Sequence, residues 1–301
     1  MNKKITVIGS SNTDLVVKTD RFAQPGETLL AQDFFMFPGG KGANQAVAAS
    51  RLGGDVTFIC KIGNDLFGQK SLEGFKQEGI DTSYVLTDDS VPSGVALITV
   101  DSKGENTILV ASGSNFTFNP EDIRSLKTVM IQSAIILIQL EIPLPTILAI
   151  LDIAKENKIT VILNPAPARP LDHTILSNID FLTPNEHEAE ILTGIPVFDE
   201  ESAKQAAESL HLSGTKNVII TLGEQGAYAS TPDFKGILHT TKVIPVDTTA
   251  AGDVFNGALA VAISNHHTLE YAIQFACKAA TLSVTRMGAQ SSAPYVHEIN
   301  V

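Results

Sequence analysis

Short runs of β-branched and apolar residues recur along this chain. Each is followed by a longer stretch with helical spacing, and this alternation constrains the possible folds more than any other feature. The runs at 5–8, 56–62, 135–140, 160–163, 181–183 and 218–221 are apolar almost without interruption, as expected of strands covered on both faces. Helical patterns occupy 43–52, 68–78, 145–157, 186–193, 200–210, 252–264 and 269–285. The alternation predicts an α/β chain with a doubly wound, mostly parallel central sheet flanked by helices. Ligands in such folds bind beyond the carboxyl ends of the strands. A length of 301 residues suits one α/β domain over 1–301.

Two regions break the rhythm. Residues 13–37 read as a strand pair around a Pro25-Gly26 turn, and 93–111 as a hairpin around Ser102-Lys103-Gly104. Together they predict a small β-sheet inserted over one edge of the core. Such a sheet serves as a lid, as an oligomer contact, or as both, because an exposed edge invites pairing. A homodimer through these strands is the expected assembly.

A net charge of −12 argues against a surface that tracks nucleic-acid phosphates. The apolar stretch at 129–142 is interrupted by Gln132, Ser133, Gln139 and Glu141, so no membrane span is expected. The start of the chain runs directly into a strand pattern rather than a secretory leader. Cys60 and Cys277 form neither a metal-binding spacing nor a disulfide framework. The expected compartment is the cytoplasm, where the Asn115-Phe116-Thr117 sequon has no meaning.

Six segments carry candidate chemistry. The first is Asp247-Thr-Thr-Ala-Ala-Gly-Asp253, which opens a helix of small residues. The free N–H groups of a helix start attract anions, and Ala250, Ala251 and Gly252 leave room for a phosphate to approach. Asp253 then lies beside a phosphoryl group, where an alcohol needs its proton accepted. Alone, the same aspartate reads first as a helix cap. The second is Pro38-Gly-Gly-Lys-Gly-Ala-Asn-Gln45, a glycine turn feeding an alanine-rich helix. Gln45 occupies the third glycine position of a dinucleotide fingerprint, and Gly42 follows Lys41 where a Walker A loop needs Ser or Thr. What remains is a turn offering backbone and donor groups at Gly40, Lys41, Gly42, Ala43 and Asn44, suited to a polyhydroxylated ligand.

Asn12 and Asp14 follow the first strand and can pair with vicinal hydroxyls, although both types are common in turns. Glu141 ends the run at 135–140, where a carboxylate is either solvated or in a site. Asn185 and Glu188 stand three apart after the run at 181–183. On a helix they face one way and could hold a hydrated Mg²⁺ against a triphosphate, or simply cap the helix. Thr221, Leu222, Gly223, Glu224, Gln225 and Gly226 form a strand-to-turn segment against which a nucleotide can lie.

In combination these segments resemble the ribokinase family of carbohydrate kinases. The likeness runs from Gly9 to Pro294 and is carried by the signatures at 39–45 and 247–253, with Asn-Pro-Ala-Pro-Ala at 164–168 and Arg-x-Gly-Ala-Gln at 286–290. The resemblance implies a ribokinase-like fold and ATP-dependent phosphorylation of D-ribose at O5, with fructose, deoxyribose, a keto-deoxy sugar acid or a nucleoside as the alternative acceptors. It implies Asp253 as catalytic base, the N–H groups around 250–253 as an anion hole, and Asn12, Asp14, Gly40–Asn44 and Glu141 as sugar contacts. Asn185, Thr221–Gly226, Ala250–Gly252 and Cys277 match nucleotide positions, and Glu188 matches a Mg²⁺-linked motif. A K⁺ site is implied at Asp247, Thr249, Ser283, Arg286, Gly288 and Ser292. Cys277 departs from members that carry histidine beside the adenine. A non-catalytic sugar-binding protein on this fold is disfavoured by the intact Asp253 and its flanking glycine. An NAD-linked oxidoreductase is disfavoured by Gln45.

Overall fold

The computed structural model of the chain describes residues 3–299. The strands are β1 (Ile5–Ile8), β2 (Asn12–Lys18), β3 (Asp33–Gly39), β4 (Val56–Ile59), β5 (Lys61–Gly63), β6 (Leu86–Asp88), β7 (Gly94–Val100), β8 (Asn106–Ala111), β9 (Ile135–Ile138), β10 (Thr160–Leu163), β11 (Phe181–Leu182), β12 (Asn217–Thr221), β13 (Ala227–Ser230) and β14 (Lys235–Leu238). The helices are α1 (Lys41–Arg51), α2 (Leu66–Gln77), α3 (Pro120–Ser125), α4 (Lys127–Met130), α5 (Leu144–Asn157), α6 (His173–Leu176), α7 (Glu186–Thr193), α8 (Glu200–Leu212), α9 (Ala251–Ser264) and α10 (Leu269–Ser283).

The central sheet has eight strands in the order β14-β13-β12-β11-β10-β9-β1-β4. Strands β4 to β12 of this order pair in parallel, and β13 and β14 add an antiparallel edge. The apolar runs form strands because both faces are covered. Ile5, Val7, Ile135 and Leu137 join one core cluster with residues of α1, α9 and α10. Ile8, Ile136 and Ile138 join the other, with residues of α5, α7 and α8. Alternate residues thus enter opposite cores although the run at 135–138 shows no polar alternate. Strand order reverses at β1, which lies between β9 and β4. The crevice at such a reversal is the expected ligand position.

Two predicted elements differ in detail. The run at 56–62 divides at Cys60 into β4 and β5, because β5 leaves the central sheet to pair with β6. The Pro25-Gly26 turn is present, with Gly26 at φ 81 and Glu27 N–H donating to the Gln24 carbonyl, but it lies inside a longer loop joining β2 to β3. The β13–β14 edge was not expected from sequence, since Ala-Tyr-Ala-Ser has weak strand propensity and forms a strand only by packing. Among the described residues no helix is long and apolar enough to cross a membrane.

The second sheet, β3-β2-β7-β8, comes from the two segments that interrupted the alternation. The β7–β8 hairpin turns at residues 101–105, as read from sequence. Every residue of β8 is exposed, as are Phe34, Met36 and Leu97.

Two chain features aim helices at the crevice. Gly40 takes φ 89 at the start of α1, a conformation that an L side chain rarely adopts. Gly257 of α9 lies so close to α1 that a Cβ there would sit 2.8 Å from Ala49 N and 2.9 Å from the Gln45 carbonyl oxygen. The contact seats α9 directly against the backbone of α1.

Candidate active site

Asp253 is 5% exposed in the first turn of α9. Its Oδ2 accepts from Asn44 Nδ2 at 2.9 Å and its Oδ1 from Gln45 Nε2 at 2.9 Å. Burial pushes its carboxyl up from the ordinary range. The Lys41 ammonium and the two amide donors oppose that rise, while Glu141 adds to it. The helix begins at Ala250, a non-glycine residue at φ 61 with no side-chain cap. Among the described residues the N–H groups of Gly252 and Asp253 have no protein acceptor. A buried carboxyl thus stands beside backbone donors that favour an anion.

The polar groups read as sugar contacts converge on the same place. Asn12 and Asp14 lie two apart on β2 and so face one side of the small sheet. Glu141 follows β9 and accepts from the Lys41 N–H at 3.0 Å. Burial, then repulsion from Glu141 and Asp253, raises the Asp14 carboxyl to about 6. Lys41 is pulled down by burial, but attraction to Asp253, Glu141 and Glu188 prevails and raises it. It is therefore a cation held among carboxylates. Asn44 Oδ1 is buried without a partner among the described residues. It is an acceptor for a donor that the protein does not supply, such as a hydroxyl.

A cavity of about 530 Å³ opens on the other side of the α9 start. Ala251 and Gly252 line it near Asp253, and Asn185, Thr221, Gly223, Glu224, Gly226 and Cys277 line it as the sequence suggested. Burial pushes the Cys277 thiol up to about 12, so it is neutral and contributes an apolar wall. This shape is a deep pocket with a polar end at a helix start, suited to a nucleotide whose phosphates point at Asp253.

The model of the pfkB family of carbohydrate kinases matches residues 2–295. The chain belongs to that family. This pfkB kinase is 46% identical to the ribokinase of Haemophilus influenzae, over 98% of its own length and 96% of the relative's. It is 40% identical to the deoxyribokinase of Salmonella typhi, over 98% and 97% of the two chains. The structure of Arabidopsis thaliana ribokinase complexed with ribose and ATP superposes with a TM-score of 0.91 at 33% identity, over 99% of this chain and 97% of that one.

Several predicted contacts of this pfkB kinase lie apart from the cavity wall. Leu222 packs in the core, and Gln225, Ala250 and Glu188 do not line the cavity. Asn185 and Glu188 form a reciprocal cap: Asn185 Oδ1 accepts from Glu188 N–H at 2.8 Å, and Glu188 Oε2 from Asn185 N–H at 2.9 Å. The capping alternative is thus realised in the geometry. Burial raises the Glu188 carboxyl, while the Asn185 N–H and Lys41 oppose that. Glu186, its carboxyl raised by burial, lines the cavity instead.

Asp247 accepts from Thr249 N–H at 2.9 Å and Gly288 N–H at 2.8 Å. Burial raises its carboxyl, but these hydrogen bonds prevail and hold it below the ordinary range, so it is an anion between the two loops. Ser283 and Ser292 hydroxyls donate to the carbonyls of Ala280 and Ala289, and Arg286 pairs with Glu298. These side chains are engaged elsewhere, which leaves backbone carbonyls as the donors such a cation site could draw on. One carboxylate with carbonyls suits a weakly hydrated monovalent cation. Among the described residues no three His, Cys, Asp or Glu side chains group to hold a metal on their own.

Sequence reasoning missed the loop after β14. Thr240, Thr241, Val243 and Pro245 line the cavity with Phe255 and Thr281. It also missed Asn115, which is 1% exposed and donates to Asn12 Oδ1 at 2.8 Å while accepting from Ser11 N–H at 2.9 Å. That asparagine is a buried brace for Asn12.

Proposed function

We propose that this kinase transfers the γ-phosphoryl group of ATP to O5 of D-ribose, giving D-ribose 5-phosphate and ADP. The observation that carries the reading is the position of Asp253, between the polar groups at 12–14, 40–44 and 141 and a nucleotide-sized cavity. Asp253 accepts the O5 proton as O5 attacks the γ-phosphorus, and the bond to the ADP oxygen breaks in line. The N–H groups of Gly252 and Asp253 face the charge on the transferring group. Asn12, Asp14, Asn44, Glu141 and the backbone of Gly40–Ala43 hold the sugar hydroxyls, and Lys41 offsets the surrounding negative charge.

Mg²⁺ fits as a companion of the triphosphate, held near Asn185 and Glu188 at the start of α7, where it would neutralise phosphate charge. K⁺ fits between Asp247, Thr249 and backbone carbonyls at Ser283, Arg286, Gly288 and Ser292, where it would add positive potential beside the α9 turn. The small sheet at 13–37 and 93–111 acts as a lid over the sugar, which excludes water from the reaction. Its exposed Phe34, Met36, Leu97, Ile108 and Leu109 form the contact of a homodimer. The enzyme works in the cytoplasm.

The names of the Haemophilus and Arabidopsis relatives favour ribose, and that of the Salmonella relative makes 2-deoxy-D-ribose the main rival acceptor. An ADP-release assay over D-ribose, 2-deoxy-D-ribose, D-fructose, a keto-deoxy sugar acid and a nucleoside tests the reading. D-ribose should have the highest kcat/KM, and another acceptor in first place would replace it.

A further inference from the structure

Behind the Asp253 carboxylate runs a chain of buried amides. Gln45 and Gln139 are both 0% exposed, and Asn164 is 5% exposed. Gln45 Nε2 donates to Asp253 Oδ1 at 2.9 Å and to Asn164 Oδ1 at 3.1 Å. Gln45 Oε1 accepts from Gln139 Nε2 at 2.6 Å. Asn164 Nδ2 donates in turn to the Thr183 carbonyl at 3.4 Å.

An amide has one acceptor end and one donor end. Reversing Gln45 would set its oxygen against the oxygens of Asp253 and Asn164, and its NH₂ against that of Gln139. Only one orientation satisfies all three neighbours, and it is the one that donates to the Asp253 carboxyl. The chain ties α1, β9 and β10 to the carboxylate on α9. Burying glutamines costs desolvation that apolar residues of the same volume would not incur. Gln139 Oε1 even lacks a partner among the described residues. Packing alone therefore gives no reason for amides at these positions.

We propose that Gln45 is a positioning residue for the transfer: it holds Asp253 in the rotamer that meets the sugar hydroxyl, and Gln139 and Asn164 lock Gln45 in its donating orientation. Gln45 acts through Asp253. The proposal rests on Asp253 being the base. It does not depend on which sugar is the acceptor. The charged groups that act on Asp253 are Lys41 of α1, Glu141 after β9, Asp14 of β2 and Glu188 of α7. All remain in the variants below, so a change reports on the amide.

The test combines a ¹³C-carboxyl titration of Asp253 in the ligand-free chain, assigned with Asp253→Asn, and the pH profile of kcat. Gln45→Met removes the donors at similar volume. Asp253 should then titrate about one unit higher, as expected for losing a buried hydrogen bond to an anion. The acid limb of kcat should move up with it. The kcat near neutral pH should fall about 10-fold, with the sugar KM nearly unchanged. Gln139→Met, which does not touch Asp253, should shift both readouts the same way by less. An unmoved titration and acid limb in Gln45→Met, or a loss confined to KM, would overturn the proposal. If Gln45→Met does not fold, Gln139→Met decides by the same criteria. If the unaltered chain phosphorylates no sugar, the reading of its function fails, while the titration still decides whether Gln45 controls Asp253.

Discussion

Asn44 of α1 donates to Asp253 of α9 across 209 residues of sequence, at 2.9 Å. The bond exists because α1 and α9 approach at Gly257, where a Cβ would meet the α1 backbone below 3.0 Å. Close helix packing and the geometry of the site are therefore one feature.

Gly257→Ala should show that link. Alanine favours the helix by about 1 kcal/mol over glycine, but forcing the helices apart typically costs about 1–3 kcal/mol. The expected outcome is a lower midpoint in urea together with a reduced kcat. A variant more stable than the parent with full kcat would separate the packing from the site.

Asp14 makes stability depend on pH. Its carboxyl is raised to about 6 in the fold from an ordinary 3.8. The protonated form is thus favoured by folding, so this group's contribution is fully present below the ordinary value and is lost as pH rises through about 6. The substitution Asp14→Asn should remove that loss. The melting temperature of the variant minus that of the parent should become more positive between about pH 4 and pH 7. A difference that stays flat or runs the other way would contradict the burial assigned to Asp14.

Asn115→Ala removes the brace on Asn12 and leaves Ser11 N–H without its acceptor. Losing such buried hydrogen bonds costs about 1–3 kcal/mol. The ribose KM should rise, with a smaller effect on ATP, measured by initial rates with each substrate varied. An equal rise in both would point to general loosening.

Cys277 should react slowly with iodoacetamide near neutral pH, because its thiol is buried and pushed up to about 12. Mass spectrometry of the labelled chain checks this. Rapid labelling blocked by ATP would mean that the cavity wall is open at Cys277.

The sheet was legible because strands buried on both faces write themselves as unbroken apolar runs. The β13–β14 edge was not, because Ala227 to Ser230 owe their strand to neighbours. The candidate base was legible from the small residues before it, which only an anion site or a close contact explains. Its supports were not: Gln45 entered only as a broken glycine motif and as the end of the 39–45 signature, and Asn115 only as an idle sequon. Their partners lie 208 and 103 residues away, and no local pattern marks such a pairing. At Asn185 and Glu188 the spacing allowed either a cap or a cation motif; the cap is formed, and the cation role stands as a proposal.

The proposed role of Asp253 is to activate a ribose hydroxyl toward ATP. The most direct measurement is ADP release with D-ribose by the parent and by Asp253→Asn, with ribose binding followed separately by calorimetry. The parent should show ribose-dependent turnover, and the variant should retain binding with kcat reduced at least about 100-fold. Near-parental turnover by Asp253→Asn would contradict it.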